Sequence, residues 1–182
     1  MLIKPLEIVI VLTLILAAFD SIAQGRVYLP KAEALQRAFP GADEVETANL
    51  YLTEAEMAGV TKASGTSVDS ALYSFYVGEK EGRIIGYASI EAATVRTLPE
   101  TVMVVMNPDG TVRFVEILAF FEPQEYQPAK RWLDQFRGEE LSSSLRVGGK
   151  IQGLTGATLS AQAVTRQVRK SSAMLRLFLE RQ

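Results

Sequence analysis

The feature that most limits what this chain can become is Asn107-Pro108-Asp109-Gly110, set between two apolar, β-branched runs, Thr101 to Met106 and Thr111 to Phe120. Pro fixes φ for a turn and cannot serve a central strand ladder, Asp folds back on its own backbone, and Gly accepts positive φ. The two runs are therefore expected as strands of one antiparallel hairpin. A second hairpin is read before it. Tyr73, Phe75 and Val77 alternate with Ser74 and Tyr76, Gly78 to Gly82 supplies the turn, and Arg83 to Ala92 returns as the partner.

Helical patterns lie outside the hairpins. Lys31 to Phe39 carries Ala34, Leu35, Ala38 and Phe39 at helical spacing and stops at Pro40-Gly41. Thr53 with Glu56 fits a capping box, and Gly65 ends the helix it starts. Pro128 suits the first turn of a helix that runs to Gly138 with Trp132, Leu133 and Phe136 inward. The last helix starts near Thr158, with Leu159, Ala163, Val164, Gln167, Val168, Ser171, Met174, Leu175 and Phe178 on one stripe. Val45 to Leu52 is less regular. Hairpins with segregated helices predict an α+β fold, an antiparallel sheet flanked by helices, ending in a long C-terminal helix. No repeat or linker divides residues 24–182, which read as one domain.

Composition removes much chemistry. Among 182 residues there is no Cys and no His, which excludes disulfides, thiolate nucleophiles, iron–sulfur clusters, c-type haem attachment and the commonest metal ligand and general base. Redox or acid/base chemistry then needs a borrowed cofactor. A net charge of -2 with mixed signs gives no basic stripe for nucleic acid. At the N-terminus, Lys4 precedes an uncharged apolar run from Ile8 to Phe19, and Ser21-Ile22-Ala23 offers small residues where signal peptidase reads. Residues 1–23 are expected to be a signal peptide, with a retained membrane anchor through residues 8–19 as the alternative. The domain is then periplasmic or otherwise extracytoplasmic.

The candidate site is Gly153-Leu154-Thr155-Gly156-Ala157-Thr158-Leu159-Ser160, where a Gly and Thr cluster runs into the last helix. First-turn amides have no partner within a helix and the macrodipole makes that end electropositive, so an anion is stabilised there. Gly153 and Gly156 admit conformations and close approaches that side chains block. Read by itself, Thr158 is better explained as an N-cap that satisfies an orphan N–H with no cofactor. Glu122 and Glu125 flank Pro123 as a carboxylate pair or as solvated loop charge, and Arg96 either meets a phosphate or neutralises Glu100 at the surface. Tyr126, Trp132 and Phe136 read as core rather than as a stacking platform.

Leu154-Thr155-Gly156-Ala157-Thr158 resembles the S/T-G-A-T signature of the FMN-binding domain family, which includes periplasmic subunits of sodium-pumping NADH:quinone reductases and of Rnf-type complexes. Gly86-Tyr87-Ala88, Val95 to Thr101, Asn107 to Gly110 and Glu122 to Tyr126 follow the order of its single-domain exported members. The resemblance implies FMN as cofactor, carried by a phosphoester on Thr158, with Leu154, Thr155, Gly156 and Ala157 around it and Glu122 near the flavin. It implies an electron-transfer flavoprotein, a flavin transferase as maturation partner, and a redox protein or membrane quinone oxidoreductase as partner in use. The alternative is a binding or structural subunit of a membrane redox complex without flavin. The sequence departs from the family pattern at Gln152, where the motif has Asp, and at Ala92-Ala93-Thr94, where small relatives often carry a His.

Overall fold

The computed structural model describes residues 26–182. The signal-peptide reading of residues 1–23 lies outside the described residues. Both expected hairpins are present, and with two further strands they form one antiparallel sheet in the order β1-β6-β5-β4-β3-β2. The strands are β1 (Arg26–Val27), β2 (Glu44–Tyr51), β3 (Leu72–Lys80), β4 (Arg83–Thr94), β5 (Pro99–Met106) and β6 (Val112–Phe120). The helices are α1 (Lys31–Ala38), α2 (Glu54–Ser64), α3 (Lys130–Leu133) and α4 (Thr158–Glu180). The fold is thus α+β, with the long helix at its C-terminal end.

The turn chemistry acts as its residues demand. Asn107 N–H bonds Thr111 O at 2.8 Å and Asp109 Oδ1 accepts from Thr111 N–H at 2.9 Å, while Gly110 takes φ +88°. The β3–β4 turn is narrower than the sequence indicates. Glu81 and Gly82 make it, both with positive φ, and Gly78 lies inside β3 at a bulge against β4. The Thr53 and Glu56 capping box forms, and Gly65 ends α2 in the left-handed region.

Two expectations are corrected. The irregular stretch Val45 to Leu52 falls largely within an eight-residue strand, β2, paired with β3 from Glu44↔Glu79 to Tyr51↔Leu72. Its pattern is obscured because it is an edge strand, exposed at most positions, with Leu50 its buried residue. The helix assigned from Pro128 to Gly138 is only four residues long, capped at Ala129 and followed by a 3₁₀ turn, Asp134–Phe136. Trp132 and Phe136 nevertheless face inward, their rings edge to face at 5.6 Å.

Alternation along the strands divides the core. Tyr87, Val102, Val104 and Met106 face α4, whose Ala161, Val164, Val168, Met174 and Leu175 are buried with them. Ala88, Met103 and Val105 face the other way, toward Ala34, Ala38 and Phe39 of and just after α1. Arg169 anchors α4 further, donating to the carbonyls of Ala63 and Ser64 at the end of α2 and to those of Ser142 and Leu145. Among the described residues no helix is long and apolar enough to cross a membrane.

Gly78 of β3 lies against Phe39, the residue that caps the end of α1. A Cβ there would lie 2.4 Å from Phe39 Cδ1 and 2.9 Å from Phe39 Cβ, too near the ring's root for a simple side-chain swing. Gly78→Ala is expected to destabilise the protein by about 1–3 kcal/mol, the usual cost of overpacking. Urea denaturation would read this as a lower midpoint with an unchanged slope.

Candidate functional site

The last residues before α4 are fixed by backbone contacts. Trp132 Nε1–H donates to Gln152 O at 2.9 Å, and Gln152 N–H donates to Gln135 Oε1 at 2.8 Å. The chain then turns through Gly156, at φ +81°, and Ala157 N–H closes the turn on Leu154 O at 3.1 Å. Gly156 is required by conformation, since a Cβ there would meet nothing within 4 Å. Gly153 has no such requirement: its φ is not positive, and a Cβ would make only ordinary contact with Val147.

Ala157 is the N-cap of α4, so this end of the helix has no side-chain cap. Thr158 is the first helical residue, and the N-cap reading of its hydroxyl is corrected. The first bond of the helix runs from Ala161 N–H to Ala157 O at 3.0 Å. Among the described residues the amides of Thr158, Leu159 and Ser160, and the Thr158 hydroxyl, have no hydrogen-bond partner. Such amides attract an anion, and the helix dipole adds to the attraction.

Facing them is the loop between β4 and β5. Three successive amides of this loop, Arg96, Thr97 and Leu98, donate to the single oxygen Glu122 Oε1 at 3.1, 2.7 and 2.8 Å. Glu122 is only 5% exposed. The amides of Thr97 and Leu98, followed by that of Arg96, hold its carboxyl below the usual carboxylate range despite burial. Glu122 stands two residues beyond the end of β6, and the 3₁₀ turn Gln124–Tyr126 after it brings Tyr126 to the same place. The acid/base or metal reading of the Glu122 and Glu125 pair gains nothing from this arrangement, because Glu122 is occupied as a loop clamp.

Between these walls lies a cavity of about 320 Å³, at the lower end of the range for small-molecule pockets. One wall is Val95, Arg96, Glu122 and Tyr126; the other runs from Gly156 to Ser160. Of the residues singled out in the sequence, Gly156, Ala157, Thr158 and Glu122 meet here. Thr155 is exposed on the preceding turn and Leu154 packs half-buried against the core, so neither lines the cavity.

Arg96, Tyr126, Val95, Leu159 and Ser160 complete the lining; Leu159 and Ser160 belong to the candidate run, Arg96 takes the cavity side of its two readings, and Tyr126 departs from its core reading. Leu159, assigned to the apolar stripe, is 48% exposed beside the cavity because the first helical turn overhangs the core. Tyr126 is half-buried in the wall rather than simply core. The surface pairing of Arg96 with Glu100 does not occur, because Glu100 is fully buried against Gln167. Arg96 is instead the one cation in the cavity lining and makes no ion pair among the described residues. The signal for Arg96 was available in its place beside Val95 and Thr97, but only the loop's fold turns it toward α4.

Residues 98–172 match the model of the FMN-binding domain family. The match bears out the resemblance and indicates FMN as the cofactor. It spans Glu122, Tyr126 and the run from Gly156 to Ser160, while Val95 and Arg96 stand just ahead of it. No curated protein matches the chain.

Glu122→Gln keeps the shape of the clamp and removes its charge. Hydrogen bonds to charged groups contribute roughly 1.5–3 kcal/mol each against about 1 for neutral ones, so a loss of about 1–3 kcal/mol is expected. The stabilisation from a lowered folded pKa is present above the unfolded value of 4.5 and is lost as pH falls through the folded one. Denaturation measured from pH 7 to pH 3 should therefore show the gap between wild type and Glu122→Gln closing in acid.

Proposed function

Proceeding from an FMN-binding domain at residues 98–172, we propose that the protein is an exported electron-transfer flavoprotein that holds FMN in the cavity between the Glu122-clamped loop and the start of α4. The observation that carries this reading is the convergence on one cavity of three amides and a Thr158 hydroxyl that have no partner among the described residues, together with the Arg96 side chain. That donor set fits a phosphate: the amides and Arg96 meet its oxygens, and the hydroxyl is the one nucleophile among them. Val95, Leu159 and Tyr126 offer apolar surface for the rest of the cofactor.

Thr158 Oγ1 is the proposed attachment atom. In the ester it loses its proton and bonds to the flavin's phosphorus while the phosphoanhydride bond of a flavin dinucleotide donor breaks, the nucleoside monophosphate leaving with the displaced oxygen, in a transfer that a separate flavin transferase catalyses. When bound, FMN supplies one- and two-electron chemistry, which a chain without Cys or His lacks. The protein's part is attachment, orientation and the local field. A tether has a physical use outside the cytoplasm, where dissociated cofactor would be lost. The apolar run from Ile8 to Phe19 supports export or membrane anchoring, and a redox protein or membrane quinone oxidoreductase is the proposed partner.

One observation favours a second reading. Gln152, exposed beside the site, replaces the Asp of the family motif; in this reading FMN is held without the ester, or the domain serves as a binding or structural subunit.

Intact mass of the full chain co-expressed with a flavin transferase tests both readings. The expected result is a gain of one FMN less one water, absent in Thr158→Ala. No gain with bound flavin absorbance would favour the non-covalent reading, and no flavin at all would overturn the carrier. Gln152→Asp is expected to raise the flavinylated fraction, and no change would remove Gln152 from transferase recognition. Arg96→Ala is expected to weaken binding of free FMN by about tenfold or more, a loss on the order of 1.5–3 kcal/mol for a charge-assisted contact, read by fluorescence titration.

A further inference from the structure

Beneath the cavity, away from its lining, the face of α4 that meets the sheet carries a buried carboxyl. Glu100, the second residue of β5, is 0% exposed. Gln167 Nε2–H donates to its Oε1 at 2.9 Å. The remaining oxygens of the two side chains, Glu100 Oε2 and Gln167 Oε1, are buried and have no hydrogen-bond partner among the described residues. Two acceptors are thus stranded on one pair of groups already joined at their other ends. An ionised Glu100 leaves both unsatisfied, at a desolvation cost for each. A single proton on Oε2 gives Glu100 a donor for Gln167 Oε1 and satisfies both oxygens at once.

The pair also has a place in the architecture. Glu100 lies two residues beyond Leu98, the last amide held by Glu122, and it pairs across the ladders with Ala93 and Phe120. It therefore moves with the loop that forms one cavity wall. Gln167 lies seven residues, about two turns, along α4 from Ser160 in the other wall. We infer that Glu100 is a neutral carboxylic acid in the folded protein, its Oε2 proton shared with Gln167 Oε1, and that this two-bond pair is the positioning contact that holds the cavity's two walls in register.

The surrounding charges are mixed. On α4, Arg166 favours the ionised form, while Lys170 is committed to Glu91 at 2.7 Å. On β4, Glu91 lies on the same sheet face two pairs along the ladder, paired with Lys170, its Oε2 without a hydrogen-bond partner among the described residues. In the adjoining loops stand Arg96 and the clamped Glu122, and Phe120 on β6 brings no charge. Burial prevails over the Gln167 hydrogen bond and Arg166, and pushes the Glu100 carboxyl up to about 8. With a folded value above the ordinary 4.5, the pair's stabilisation is complete below about pH 4.5. It declines as pH rises and is lost once pH passes about 8. This role as a latch rests on the cavity being the flavin site, whereas the pairing itself does not.

Glu100→Gln is the decisive variant, because an amide facing the Gln167 amide keeps both hydrogen bonds and has no proton to lose. Thermal melts of the full chain without flavin should coincide for wild type and Glu100→Gln at pH 5, with the variant melting higher at pH 9. Parallel curves across that range would overturn the neutral acid. Titration of the Glu100 side-chain carboxyl carbon by NMR in the wild type reads the same claim without mutation: a midpoint above pH 7 supports it and one near 4.5 refutes it. The latch is read by hydrogen exchange. Protection of the Thr97 and Leu98 amides should match in the two proteins at pH 6 and be several-fold lower in wild type at pH 9. Equal protection at pH 9 would leave the pair without a positioning role. None of these readouts needs bound FMN, so failure of the flavin reading would appear separately in the mass and titration experiments.

Discussion

Everything at the candidate site depends on how α4 seats on the sheet. Its stripe from Ala161 to Leu175 is buried against Tyr87, Val102, Val104 and Met106, and each large apolar side chain so placed contributes roughly 1.5–3 kcal/mol. That burial fixes the helix as a rigid rod whose first turn overhangs the core. The uncapped end therefore faces the β4–β5 loop across a cavity instead of packing into the interior. A Ser, Asp or Asn at position 157 would accept one of the free amides and compete with an anion for it. Ala157 leaves all three without a side-chain cap among the described residues.

The facing wall is built by an opposite device. There three amides point inward to one carboxylate, Glu122 Oε1, so the loop's backbone donors are consumed and its shape is set. What remains available on that side is the Arg96 side chain. The two walls thus divide the work: α4 presents backbone donors and a hydroxyl, and the clamped loop presents a cation. Glu122 belongs to the site as the residue that fixes Arg96 in place.

The sequence made legible whatever local chemistry decides. The Asn107 to Gly110 turn, the Thr53 and Glu56 box with Gly65, and the start of α4 after Gly156 carry their own signals, and they form where expected. Strand β2 escaped because an exposed edge strand owes its conformation to its neighbour, with Leu50 its buried residue. The shortness of α3 escaped because its aromatic spacing serves burial whether the backbone is α or 3₁₀. At the site, the threonine motif identified Gly156, Ala157 and Thr158. It did not separate them from Thr155 and Leu154, which share the motif but turn away from the cavity. Arg96 and Glu100, four residues apart, look like an ion pair in sequence, yet one lines the cavity and the other is fully buried. Only the register of β5 beneath α4 separates them.

The central claim is that the start of α4 receives the flavin's phosphate at Thr158. The most direct measurement is a crystal structure of the flavin-bearing protein. The account predicts phosphorus bonded to Thr158 Oγ1, its oxygens met by the amides of Thr158 to Ser160 and by Arg96. A phosphate bonded to Thr155, or seated outside the cavity between α4 and the Glu122-clamped loop, would contradict it.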